Sequence, residues 1–288
     1  MRVKLLHTIP VVVAVGILAV WSLSTNPIEP VLDQKTPTPL SVASSTPEQE
    51  LVNYIEVIDS CGPHFESECV NVRSGAGSTF PAVAKLRNGV ILAVATTTTT
   101  DEDGDIWYKV VFNEWIRYPE RIGKDWYIVS TYARGFTDTG MQEQEEPLPA
   151  LLQQAGEKLG LIPPEKRIIV DRSEQKLYAY EGDMLFVETA ISTGLDLTPT
   201  PRGTFSIYRK TPSRYMQGPL LGISDQYYDL PGVPWNMYFT KEGGAIHGAY
   251  WHAEFGKQWS HGCVNLPLDT AHVLYDWAPL GTKVIVRD

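Results

Sequence analysis

The sequence predicts a mainly β protein with one or two helices. Two observations carry that prediction. Short runs of β-branched and aromatic residues recur between turns containing Gly, Asn, Asp or Pro, from Leu51 to the C-terminus. Apolar residues fall at helical spacing in only two places, residues 148–159 and 268–277.

The bulk numbers agree with a folded chain. Its 288 residues suffice for about two domains of roughly 100–200 residues each. Apolar residues make up 43% and charged residues 20%, the balance of a chain that buries a core. The net charge of −10 argues against a nucleic-acid binder, which would normally carry a basic face. Acidity of this kind favours solubility and names no partner.

Residues 1–25 read as a signal peptide or membrane anchor. Arg2 and Lys4 precede an almost uncharged run over residues 9–23, broken only by Pro10, Gly16 and Ser22. The run is shorter than the ~20 residues of a membrane helix and suits the apolar centre of a secretory signal. Both readings place the rest of the chain outside the cytoplasm. Residues 26–50, rich in Pro, Ser, Thr, Glu and Gln, have little to bury and read as a disordered linker.

Residues 51–136 read as a small β-barrel. Strands are expected at 70–73, 82–87, 90–95, 106–112 and 126–130. Asn88-Gly89 predicts a hairpin between two of them, and residues 96–105 a polar loop. Cys61 and Cys69 flank a Gly-Pro turn and are expected to pair in an exported chain. Val-Asn-Val-Arg-Ser-Gly (70–75) and Trp-Tyr-Lys-Val (107–110) resemble the bacterial Src-homology-three-like domains of cell-envelope proteins. An insertion at 113–124, with Trp115 and Tyr118, departs from their minimal pattern. The resemblance leaves two roles open, a spacer or a contact with the wall or its glycan.

Residues 137–165 read as a second linker carrying the short helix at 148–159, with Leu151, Leu152, Ala155 and Leu159 on one face. Residues 166–288 form the C-terminal domain. Strands are expected at 167–171, 176–180, 184–192, 203–209 and 283–286. A helix is expected at 268–277, capped by Asp269 or Thr270 and closed by Pro279 and Gly281.

Chemistry concentrates between His247 and Asn265. Cys263 is the odd cysteine, and an unpaired exported thiol calls for reactivity as its reason. A free thiol ionises near pH 8.5, about, so a nearby histidine is needed to take its proton at neutral pH. His247, His252 and His261 are the candidates. Gly262 lets a carbonyl approach the backbone, where the amides of Gly262 and Cys263 could hold an oxyanion. A zinc site of these histidines with Cys263 is the rival chemistry, but the stretch lacks a Glu-containing zincin motif.

Ile246-His247-Gly248, followed by Ser260-His261-Gly262-Cys263-Val264-Asn265, resembles the L,D-transpeptidase catalytic domain of the YkuD type. The likeness extends over residues 166–288, including Ser192-Thr193-Gly194 and residues 200–205. It implies a β-sandwich with the cysteine at its mouth, acting on peptidoglycan stem peptides without a metal or organic cofactor. By the same resemblance Cys263 is the nucleophile and His247 the base, oriented by the Gly248 carbonyl. His261 would shape the pocket and lend its amide, and remains an alternative base. Ser260 and Asn265 would order the loop. Tyr238, Trp259 and His252 are candidate substrate contacts. A carboxypeptidase of the same fold and a non-catalytic wall-binding protein are the alternatives in function.

Overall fold

The computed structural model describes residues 50–112, 116–143, 158–160, 164–219 and 227–288. The expected leader, most of the first linker, Trp115 and nearly all of the helix at 148–159 lie outside the described residues. Among the described residues the protein is mainly β, with three sheets and one complete α-helix. No helix there is long and apolar enough to cross a membrane. Residues 48–288 form one compact unit.

The N-terminal sheet has seven strands: β1 (Val52–Val57), β2 (Val70–Arg73), β3 (Ala82–Leu86), β4 (Ile91–Thr100), β5 (Ile106–Val110), β6 (Tyr127–Val129) and β7 (Ala133–Asp138). Their order is β3-β2-β6-β5-β4-β1-β7. Strand β4 serves two partners. Ile91, Leu92 and Ala93 pair with β1, and beyond an irregularity between Val94 and Thr98 the strand pairs with β5. The threonines of 96–100, expected as a loop, are therefore strand. They are β-branched and lie on an exposed pleat, which their side chains tolerate as well as a turn would. The turn is confined to 101–105, where Asp101 accepts the amides of Asp103 and Asp105 and the Trp107 indole N–H.

Asn88-Gly89 does turn the chain, with Gly89 at φ +81°. The strands on either side do not pair, however, since β3 pairs with β2 and β4 with β1 and β5. The Asn88 and Gly89 amides donate instead to Cys61 O and Val57 O, so the turn carries the chain across the sheet. Cys61 and Cys69 are disulfide-bonded beside it.

The C-terminal domain is a sandwich of two five-stranded sheets. One contains β9 (Lys166–Asp171), β10 (Lys176–Glu181), β11 (Met184–Ala190), β12 (Gly203–Ser206) and β17 (Lys283–Arg287). The other contains β8 (Gln142–Glu143), β13 (Arg209–Pro219), β14 (Tyr227–Tyr238), β15 (Ala245–Gly248) and β16 (Val264–Leu266). Ile168, Leu177, Ile191, Met237, Ile246 and Leu266 fill the space between them. The segment after Phe136, expected as linker, is partly strand: β7 runs to Asp138, and β8 adds to the edge of β13.

Helix α1 (Leu268–Trp277) closes the core with Ala271, Leu274 and Tyr275. It starts one residue before Asp269, with Pro267 at the cap position and no side-chain cap. Its C-terminal carbonyls are held by lysines. Lys210 Nζ donates to Tyr275 O and Ala278 O, and Lys166 Nζ to Trp277 O. A cation there also opposes the negative end of the helix dipole.

The β13–β14 hairpin joins the two domains. Its residues Tyr215, Met216, Leu230 and Val233 pack into the same cluster as Ile55, Leu92 and Trp126 of the first sheet. Gly232, at φ +62°, lets the backbone approach Ile91 so closely that a Cβ would lie 2.3 Å from its carbonyl oxygen.

Candidate active site

Strands β15 and β16 run parallel, with Ile246 opposite Val264 and His247 opposite Asn265. Side chains alternate along a strand, so Ile246 and Val264 point into the core. His247 and Asn265 therefore share the opposite face, and Cys263, two residues before Asn265, joins them. The result is a cleft of about 700 Å³ with Cys263, His247 and Asn265 in its walls.

The histidine is held in one tautomer. His247 is 1% exposed, and its Nδ1–H donates to Gly248 O at 3.0 Å. A carbonyl can only accept, so the ring proton sits on Nδ1 and Nε2 keeps its lone pair. Burial lowers its pKa to about 4, outweighing the raising effect of the Gly248 bond. Burial likewise raises the pKa of the partly buried Cys263 thiol, the only free cysteine. At neutral pH the pair therefore rests as thiol and neutral imidazole.

Ser260 shapes the turn that carries the thiol. Its hydroxyl donates to Cys263 O and accepts the Gly262 N–H at 3.1 Å. The Gly262 amide, expected as an oxyanion donor beside that of Cys263, donates here to Ser260. Gly262 has φ +121°, which a side chain would strain. Behind the turn runs the Ser192-Thr193-Gly194 segment. Thr193 O accepts from Trp259 N and Ser260 N, and Ser192 exchanges backbone bonds with Asn265. Gly194 packs so tightly here that a Cβ would lie 2.1 Å from Thr198 O and 3.0 Å from Gly262 Cα.

The remaining predicted residues fall in different places. His261 lines the cleft and stacks on Tyr228, 5.7 Å between ring centres. Trp259 is on the rim, 48% exposed. His252 does not reach the cleft wall. It is buried, with Nδ1 accepting Glu254 N–H and Nε2 lying 2.8 Å from the Asn265 carboxamide. It is the Asn265 amide nitrogen, Nδ2, that faces His252 Nε2. His252 thus locks Asn265, and burial lowers its pKa to about 4. Tyr238 lies in an adjoining cavity rather than in the main cleft. No group of three or more His, Cys, Asp or Glu among the described residues is placed to hold a metal ion.

Met216, Tyr228, Leu230 and Trp251 complete the cleft wall and were not anticipated. Three of them sit on the β13–β14 hairpin. Pro212, Pro219, Pro231, Gly232 and Pro234 interrupt its strand pattern, and no local signal marks it.

The β-sandwich thus holds a buried histidine and a free thiol in one cleft. Residues 165–286 match the family model of the YkuD L,D-transpeptidase catalytic domain. A relative from Bacillus licheniformis, named for the L,D-transpeptidase YkuD, is 30% identical over 123 residues, 42% of this chain and 64% of its own length. The chain is also similar to the Enterococcus faecium L,D-transpeptidase C442S mutant, at 29% identity and TM-score 0.39, covering 44% of this chain and 51% of that one. An L,D-transpeptidase from Mycobacterium smegmatis aligns at 21% identity and TM-score 0.41, covering 69% and 90%. The chain thus spans just under two thirds of the curated relative and about half of the enterococcal chain.

Proposed function

We propose that this protein is a peptidoglycan L,D-transpeptidase working through a thioester on Cys263. The single observation that carries the reading is the parallel β15–β16 register, which sets Cys263 and the proton-free Nε2 of His247 on one face of one cleft. In the first half-reaction the Sγ proton passes to His247 Nε2 as sulfur attacks the carbonyl at the L-centre of a diaminoacid in a tetrapeptide stem. The C–N bond breaks, and the terminal D-residue leaves with that proton on its amine. An acceptor amine then attacks the thioester. A C–N bond forms, the C–S bond breaks, and the amine's proton returns through His247 to sulfur. Two easier steps replace one hard amide exchange, and the residues named here supply them without a cofactor.

The disulfide at Cys61–Cys69 supports an extracytoplasmic location, where the wall substrate also lies. The N-terminal sheet is proposed as a Src-homology-three-like module that faces the wall.

Purified protein incubated with disaccharide tetrapeptide should yield cross-linked dimers by mass spectrometry. Tripeptide alone would mean water is the acceptor. Unmodified substrate with no adduct on Cys263 would sink the enzyme reading and favour a wall-binding protein. Cys263→Ala should abolish the adduct. His247→Ala should slow acylation by about 10²–10⁴-fold at neutral pH, the usual worth of a general base. An unchanged rate would transfer the role to His261.

A further inference from the structure

One turn of the first sheet touches the sandwich by two routes that both lead to His247. It is Arg87-Asn88-Gly89, between β3 and β4. The turn is itself pinned from within the first sheet. Asn88 N–H donates to Cys61 O at 3.0 Å, and Gly89 N–H to Val57 O at 2.8 Å. Cys61 is tied to Cys69, and in the loop they close the Phe65 ring lies 4.0 Å from the Arg87 guanidinium.

The first route runs through Leu268. A Cβ on Gly89 would lie 2.3 Å from Leu268 Cδ1, so the bare backbone is what seats this side chain. On its other side, a Cβ on Gly248 would lie 3.3 Å from Leu268 Cδ2. The Gly248 carbonyl is the group that fixes the His247 ring. Leu268 is thus held between the turn and the backbone that orients the imidazole. The second route runs through Tyr250. Its hydroxyl donates to Pro231 O at 2.6 Å. Burial pushes that hydroxyl's pKa well up, and the Arg87 guanidinium beside it pulls the other way. Trp251 packs edge-on against Tyr250, with ring centres 5.1 Å apart. Its ring centre is 5.7 Å from that of His247 in the cleft wall, so the indole helps keep water off the imidazole.

A turn that only closed the first sheet would need neither route, because Cys61 O and Val57 O already satisfy its amides. Acyl transfer gives the routes a use. Sulfur, carbonyl carbon and the accepting nitrogen must lie within about 3–3.5 Å of one another in line, and a misplacement of about 1 Å costs on the order of 10²-fold in rate. Resting on the acyl-transfer reading above, we infer that Arg87 and Gly89 are positioning residues of this site. From the first sheet they hold the His247 ring in register with Cys263, one through Tyr250 and Trp251, the other through Leu268 and Gly248.

The test uses the full chain with Arg87→Gln, Arg87→Lys, Gly89→Ala and, as a control for general loosening of the first sheet, Val72→Ala in the buried face of β2. Acylation by disaccharide tetrapeptide is followed by mass spectrometry, and the His247 ring is titrated by NMR without substrate. The titratable groups around that ring are Cys263, His261 and Glu242 in the cleft lining and His252 beside Trp251, and they are common to every variant. Arg87→Gln and Gly89→Ala should slow acylation by about 10–100-fold at pH 7 and change KM by less than about twofold. They should also move the His247 midpoint up from about 4 toward the ordinary value of about 6.5, as water reaches the ring. Arg87→Lys should recover part of the rate. Val72→Ala should lower the melting temperature and leave both readouts at their wild-type values. A wild-type rate and midpoint in folded Arg87→Gln and Gly89→Ala overturn the inference. So does an equal change in Val72→Ala, since any loosening of the sheet would then suffice. Should Gly89→Ala fail to fold, Arg87→Gln alone decides. If the wild type forms no adduct, the transpeptidase reading falls, and the His247 titration still decides whether the turn sets the ring.

Discussion

The thiol and the imidazole of this site are both held away from charge, and that has measurable consequences. Burial pushes His247 down to about 4 and Cys263 up. A thiolate–imidazolium pair would show as a shoulder of fast alkylation at pH 5–7. Iodoacetamide should instead modify Cys263 at a rate that climbs only as pH approaches and passes the ordinary thiol range. A shoulder at pH 5–7 would refute the neutral pair. The same burial links stability to pH. An unfolded histidine titrates near pH 6.5, about, whereas folded His247 does so at about 4. Between these values the unfolded chain binds the extra proton, so stability falls as pH drops through the window. The loss from His247 approaches about 3 kcal/mol at its low end. Urea midpoints measured at pH 7 and pH 4.5 should fall less for His247→Gln than for the wild type. Equal falls would show that His247 is not buried neutral.

At the level of single elements, legibility followed locality. The turn that carries Cys263 is local: Ser260, Gly262 and Cys263 lie within four positions, and Ser260 closes the turn on itself. Helix α1 was readable from its apolar period over its full span, though its cap was not, since Pro267 stands where a side-chain cap was expected. The β13–β14 hairpin was not readable. Its prolines and Gly232 are tolerated at places decided by neighbouring strands, and such information is absent from the local sequence. With the hairpin went the cleft wall of Met216, Tyr228 and Leu230, although the Cys–His pair itself was in view. The Ser-Thr-Gly segment shows why a motif distant from the nucleophile belongs to the site. Gly194→Ala would drive a Cβ into Thr198 O and toward Gly262. Relieving the overlap should cost about 1–3 kcal/mol and displace the turn holding Cys263. Acylation should therefore fall by at least about tenfold while circular dichroism stays that of a folded β protein. A fully active variant would show that this contact does not position the thiol.

Across the molecule, the sequence divides into a first sheet and a C-terminal sandwich, yet residues 48–288 are one compact unit. The reason is that the hairpin is not finished by the sandwich alone. Val233 and Tyr250 are buried in the cluster of the first sheet, and Trp235 is covered by Phe136 and by His272 stacked 4.0 Å away. Polar contacts follow the same line. Tyr118 N–H donates to Gln217, Arg121 pairs with Asp229 at 3.1 Å, and the Ser213 hydroxyl donates to Ile91 O. The described part of the insertion that departed from the minimal barrel pattern, residues 116–124, thus braces the hairpin through Tyr118 and Arg121. Removing the first sheet would return several large apolar side chains to water, each worth about 1.5–3 kcal/mol. That sum rivals the ~5–15 kcal/mol that holds a typical domain together. A fragment of residues 164–288 should therefore unfold at lower temperature than residues 48–288, bind a hydrophobic dye, and acylate poorly because Met216, Tyr228 and Leu230 lose their support. Residues 48–288 should melt in one transition. A fragment that matched the longer chain in melting temperature and acylation rate would show that the first sheet is a passenger rather than part of the catalytic unit.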